Sequence, residues 1–490
     1  MSTTHPAAPV ELDDIQGLLR FGYKHHSQAC FLLLRVKDPT AARAWLASAP
    51  VTSAAPTEPP PATVLQIALS SNGLRALGVP AKVVDGFSTE FIAGMGGDPS
   101  RSRRLGDVGA NAPSQWAWGA DAKLPHVLVM LYALPGQLNA WQSAVEAQCA
   151  AGFNTLARLR CSERGDHEPF GFMDGISQPL LDWSRDRPVR DAEQLKYTNL
   201  SCLGEFLLGY PNEYGGYTDR PLLDQQQDQI GLLPRAENQP DYADLGRNGS
   251  YLVLRQLEQD VQGFWQCLHA QADGDTARQE QLAAAMLGRT RDGQPLLPST
   301  PADDLNAFDY SDDPRGTQCP LGAHIRRANP RNADLPAGAP GLLPWLTRTL
   351  GFDAAALEQD RVPSTRFHRL LRRGRAYGQD GPPGETPTGL HFICLGANIA
   401  RQFEFVQGAW LNSPHFDGLQ GENDPLLGNR APGLGSGLVD GFSMPQAQGP
   451  DQRLSGLPQF VTVRGGAYFF LPGIRALRYL AHLGDKGETP

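Results

Sequence analysis

Cysteine is scarce in this chain of 490 residues: Cys30, Cys149, Cys161, Cys202, Cys267, Cys319 and Cys394 are all there is, and no two stand at Cys-x-x-Cys spacing. That excludes the common zinc and iron–sulfur motifs, and an odd, scattered set points to reduced thiols in a cytoplasmic protein. A leader is also missing, since Met1-Ser-Thr-Thr-His-Pro carries neither a basic nor an apolar region, so no signal peptide is expected. The apolar run His126-Val-Leu-Val-Met-Leu-Tyr132 is strand-sized, and nothing approaches the length of a membrane span. Positive charge is in deficit, 43 Lys and Arg against 52 Asp and Glu for a net −9, which argues against nucleic acid as a partner. What remains is ordinary: 41% hydrophobic and 19% charged residues describe a soluble globular protein, long enough for two or three domains.

One stretch carries more chemistry than the rest, Cys319-Pro-Leu-Gly-Ala-His-Ile-Arg-Arg-Ala-Asn-Pro-Arg331, with a single His324 followed by Arg326, Arg327 and Arg331. A His ligates metal as neutral imidazole, and nearby positive charge favours that form. The arginines suit an anionic ligand, because guanidinium binds carboxylates through paired hydrogen bonds. Heme joins both needs in one cofactor, an iron that takes a proximal His and propionates that take cations. An incidental His in a basic surface loop is the plainer alternative.

The chain in order supports a scaffold for such a site. Strands are expected at Cys30–Val36, Val64–Leu69, His126–Tyr132 and Thr155–Arg160. Helices are expected after Thr40 as cap, and over Gln137–Ala150. Strand, helix, strand, strand, helix, strand is the ferredoxin-like order. A second set begins with Tyr251–Leu257 and a helix over Asp260–Ala270, and continues with a strand at Leu390–Leu395 and a helix over Ile399–Trp410. A hairpin across Gly465-Gly466 and a helix over Ile474–His482 complete it. The expectation is an α+β chain of two ferredoxin-like domains, residues 1–162 and residues 163–490, with long insertions and the heme in the second.

Two further segments bear on chemistry. Gly171-Phe-Met-Asp174-Gly175 sets one carboxylate among side chains able to exclude water, and desolvation would raise its proton affinity toward acid–base use; an ordinary turn Asp is the alternative. In Phe367-His-Arg-Leu-Leu-Arg372-Arg373-Gly-Arg-Ala-Tyr-Gly378, Arg372 could sit over the open face of a metal, while Arg373 and Arg375 are expected in solvent. Leu390 and Phe392 on the following strand would shape a dry pocket or simply fill core.

Together these segments make the sequence resemble the dye-decolorising peroxidases, heme enzymes of two ferredoxin-like domains, over nearly its whole length. The resemblance implies Asp174, in the GxxDG pattern, as distal acid–base residue and Arg372 as distal arginine. It implies His324 as proximal ligand to the iron of heme b, with Arg326 and Arg331 in the same pattern counted as cofactor-binding. Leu390 and Phe392 become the distal apolar pair, and Asp424, in Gly421-Glu-Asn-Asp-Pro425, is the expected carboxylate behind the proximal His. Hydrogen peroxide and one-electron donors such as dyes or phenols would be the substrates, with no nucleic acid and no membrane. Two features depart from the family pattern, a long step from His324 to Arg372 that implies an insertion around Pro336–Pro363, and His391 between the two pocket residues. A heme carrier or sensor without turnover and a heme-free α+β protein are the competing readings.

Overall fold

The computed structural model describes residues 9–163, 165–186, 198–224, 227–228, 231–301, 303–331, 364–378, 386–431 and 439–483. The insertion expected around Pro336–Pro363 lies outside the described residues.

In the first half the elements run β1 (Gln28–Val36), α1 (Pro39–Ser48), β2 (Thr63–Leu69), β3 (Val127–Ala133), α2 (Leu138–Cys149) and β4 (Phe153–Arg160). They pair antiparallel in the spatial order β4-β1-β3-β2. The second half supplies β5 (Ser250–Gln259), α3 (Val261–Gln271), α4 (Thr276–Leu287), α5 (His324–Ala328), β6 (Leu371–Arg372), β7 (Arg375–Tyr377), β8 (Gly389–Gly396), β9 (Val461–Leu471) and α6 (Ile474–Ala481). Its order is β9-β5-β8, with β6 and β7 both paired to the far side of β8. With β6 and β7 counted as one broken strand, each half reads fourth-first-third-second, the arrangement of interlocked split βαβ units. The two sheets then join edge to edge through Phe470 of β9 and Leu69 of β2, making one sheet of nine strands. The expected division at residue 162 falls two residues after β4 ends.

Both faces of this sheet are covered, so its strands are apolar on both sides rather than alternating. Leu32, Ile67, Val129, Val253 and Phe470 belong to the core on one face, and Phe31, Leu33, Leu128, Leu254 and Phe469 to the core on the other. Helix α1 starts where the Asp38 carboxylate accepts the Thr40 and Ala41 N–H groups, with Pro39 in the first turn. The cap is therefore Asp38 and not Thr40, because the acceptor must precede the first turn. Helix α6 returns across the molecule and packs against α1. Among the described residues no helix is long and apolar enough to cross a membrane.

The hairpin expected across Gly465-Gly466 is absent, since β9 runs straight through both residues. A Cβ on Gly465 would lie 2.5 Å from the Trp118 ring, and one on Gly466 would lie 2.5 Å from the Met95 sulfur. The glycines thus make room for close packing in mid-strand and reverse nothing. The expected helix over Ile399–Trp410 is present in wider form, wound as π-helix over Ala400–Glu404 and Val406–Leu411, a winding often found beside functional sites.

Candidate functional site

One cavity brings most of the candidate residues together. Asp174, His324, Arg331, Arg372, Leu390 and Phe392 all line it, whereas Arg326 and Asp424 do not. Its wall comes mainly from the second half, with Leu105, Asp107 and Asn111 contributed by the first.

His324 opens the short helix α5, and its side chain keeps 22% of its surface. Its Nδ1 lies 2.9 Å from Asp424 Oδ2, and Asp424 itself is fully buried, with Oδ1 accepting the Leu426 and Leu427 N–H groups. Burial pushes the Asp424 carboxyl up, but the charge and hydrogen bond of His324, the Leu427 N–H and the charge of Arg327 hold it below the ordinary carboxylate value. An ionised Asp424 makes Nδ1 the protonated nitrogen, leaving the Nε2 lone pair available.

The arginines of the same stretch divide. Arg326, 2% exposed, is spent on Asp313 Oδ2 and on the carbonyls of Asp313 and Cys319, with its guanidinium over Tyr310. It braces the loop that leads into α5 and does not reach the cavity. Arg327 does likewise for the carbonyls of Trp410, Ser413 and Glu422. Only Arg331 stays on the cavity wall, its guanidinium 3.6 Å above Phe308 and bonded to the Asn306 and Phe308 carbonyls. A motif gives the order of arginines but not which of them turn inward, because the first turn of α5 sends consecutive side chains in different directions.

Asp174 is not the buried carboxylate its neighbours suggest. Its side chain is 44% exposed, and Phe172 is turned into the core, near-parallel to Trp265. Its Oδ1 accepts the Gly175 N–H at 2.6 Å and Arg372 Nη1 at 3.3 Å, while among the described residues no hydrogen bond engages Oδ2. Arg372 is in turn held to the same loop, its N–H on Gln178 Oε1 and Nη2 on the Ser177 carbonyl. Carboxylate and guanidinium are therefore placed together by residues 174–178. Arg373 and Arg375 are not in solvent: Arg373 binds the Leu18 and Leu19 carbonyls, and the buried Arg375 binds the Tyr23 carbonyl.

On β8, Leu390 and Phe392 face the cavity while His391 points to the opposite face, stacked on Tyr377. Period-two alternation accounts for a polar residue between two pocket residues. Arg289 was not anticipated. It is buried on the cavity wall beside Ser177, and its hydrogen-bond partners among the described residues are all neutral: the Gly293 and Leu305 carbonyls and Ser177 Oγ. Burial, then the charge of Arg331, brings it down to about 10. Nothing near it in sequence marks it, because its surroundings are assembled from distant segments.

This donor set fits heme. Among the described residues there is no cluster of three or more His, Cys, Asp or Glu able to cage a bare ion; the cavity offers one imidazole with a carboxylate behind it. A porphyrin supplies the other iron ligands itself, and a cation that has no acid partner among the described residues, Arg289, suits a carboxylate rim.

No protein-family model matches the chain. It is 28% identical over 457 residues to the multifunctional dye peroxidase DyP2 of Amycolatopsis sp., which covers 85% of this chain and 82% of that one. Identity to a dye-decolorizing peroxidase of Exidia glandulosa is 28% over 507 residues, 95% of this chain and 86% of the other. The fold superposes on the crystal structure of a fungal DyP-type peroxidase from Auricularia auricula-judae with a TM-score of 0.73 at 26% identity, covering 97% of this chain and 100% of that one.

Proposed function

We propose that the chain is a member of the dye-decolorising peroxidase family of heme enzymes, to which it is similar along most of its length, and that it reduces hydrogen peroxide at a heme held by His324, with Asp174 and Arg372 as its distal pair, and oxidises dyes, phenols or similar donors. The supporting observation is a single cavity that holds both an imidazole backed by a buried carboxylate and a carboxylate–guanidinium pair.

Heme, when bound, supplies an iron that accepts oxidising equivalents from peroxide and passes them on singly. His324 would hold the iron through Nε2, with Asp424 fixing the ring's orientation and tautomer. Arg289 and Arg331 are the cations for the propionates. Asp174 Oδ2, which no hydrogen bond engages among the described residues, would take the proton from one peroxide oxygen and return it to the other. Arg372 holds positive charge beside that carboxylate and steadies the charge that develops as the O–O bond breaks. Leu390 and Phe392 limit the water that can compete there. With seven free thiols, we place the enzyme in the cytoplasm.

The test is spectral and kinetic. The purified holoprotein is expected to show a Soret band and to consume peroxide with a reducing dye present. Asp174→Asn keeps the shape and removes the base, and should slow peroxide consumption on the order of 10²-fold or more. A Soret band without peroxide turnover would leave a heme carrier or sensor instead.

A further inference from the structure

Asp174 itself has few anchors, yet the loop that carries it is closely tied. The chain from Asp166 to Asp174 doubles back on itself: the Glu168 N–H donates to the Phe172 carbonyl, the Gly171 N–H to the Glu168 carbonyl, and the Asp174 N–H to the Asp166 carbonyl. Gly171 sits at φ +96° in the bend, where only glycine is at ease. Into this bend folds the side chain of Glu168. Its Oε2 accepts the Phe170 N–H at 3.0 Å and its Oε1 the Phe172 N–H at 3.0 Å. A third donor comes from elsewhere, since Gln259 Nε2, at the end of β5, reaches Oε2 at 2.9 Å.

Both oxygens are needed for this arrangement. A glutamine at 168 would present an NH2 group to at least one N–H donor, and an N–H facing a donor costs the group its bond. Glu168 lines the same cavity as Asp174 and is half-buried. Burial raises its carboxyl, and the charge of Asp174 adds to that rise. A carboxylate retained at that cost, with its hydrogen bonds among the described residues all directed at the loop's own backbone or at the sheet, acts on the loop.

We infer that Glu168 is a positioning residue for the distal pair: it locks the 166–174 bend to β5 and so fixes where Asp174, and through Ser177 and Gln178 Arg372, present their side chains to the cavity. This rests on the proposed role of Asp174. Displacing a reacting group by about an ångström can cost up to 10²-fold in rate, and a loosened loop should cost part of that.

The experiment compares peroxide consumption at limiting peroxide by the holoenzyme of four forms: parent, E168Q, D174N and E168Q/D174N. E168Q is expected to lose on the order of tenfold in the parental background, with a clearly smaller loss once Asp174 is Asn, where only the placing of Arg372 is left to disturb. The half-saturating concentration of the reducing dye should stay as in the parent. Equal losses in both backgrounds, or none in the parental one, would overturn the inference and make Glu168 an ordinary loop tie. A D174N rate equal to the parent's would instead overturn the assignment of Asp174, a separate and recognisable result. Should E168Q lose heme or melt early, Gln259→Met removes the third donor at similar length, and the same pattern, smaller in size, is expected from it.

Discussion

His391 stands in sequence between two cavity residues and takes no part in the cavity. Strand alternation carries it to the other face, where its ring packs on Phe31 and Tyr377 and Nε2 meets the Arg160 carbonyl at 3.1 Å. Burial pushes it down to about 4, so it stays neutral in the folded protein while an unfolded histidine takes up a proton near pH 6.5. The folded state then binds fewer protons between those values, and stability falls as pH drops through 6.5 toward 4. From pH 7 to pH 5 this one residue should cost about 2 kcal/mol. His391→Leu is expected to remove that part of the slope, read by denaturant unfolding at the two pH values; an unchanged slope would locate the effect elsewhere. At this scale the sequence marks His324, Asp174 and Arg372 because each sits in a compact local pattern, and the three line one cavity. Glu168 and Arg289 are not marked, because Gln259, Leu305 and Ser177 become their neighbours only after folding. The arginines at 373 and 375 misled for the same reason, since carbonyls near residue 20 absorb them.

Among the elements, those with a continuous apolar run or a strong period were plain in the sequence, and β1, β3, β5 and β8 lie within two residues or so of expectation. The failure at Gly465-Gly466 is instructive, because a turn and a close approach both call for glycine. Neither glycine has positive φ, so the constraint is the space taken by Trp118 and Met95. Gly465→Ala is therefore expected to destabilise by about 1–3 kcal/mol through overpacking, and Gly465→Val by more. Thermal melts would measure the loss, and Trp118, whose indole N–H bonds Gln256, should report it in fluorescence. If alanine is accepted without cost, the packing argument fails.

For the whole molecule, the repeated order of strands was inferable from the order of elements, but the join was not. Which edge of one sheet meets which edge of the other depends on the pairing of Phe470 with Leu69, a contact 401 positions apart (470 − 69). The core on each face runs through both halves, and α6 of the second lies on α1 of the first. The halves are thus expected to unfold together, giving one transition in a thermal scan and coincident loss of far-UV dichroism and tryptophan signal. Two separated transitions would show that the seam is weak. Residues 1–162 made alone should expose the β2 edge and associate.

The place of β9 also has a consequence for how the chain is made. It lies between β5 and β2 in space, yet it is residues 461–471 of 490. As a chain emerges at about 5–20 residues per second, its N-terminal part folds first. The first half can assemble its four strands long before the ribosome reaches β9. Asp174, His324 and Arg372 are all synthesised earlier than Val461 and Val463, which wall the same cavity. Completion of the pocket therefore waits for β9, and until it emerges the β2 and β5 edges stand open to foreign strands. Whatever shields nascent chains in the cell has most to do here before the strand that seals both edges has left the ribosome.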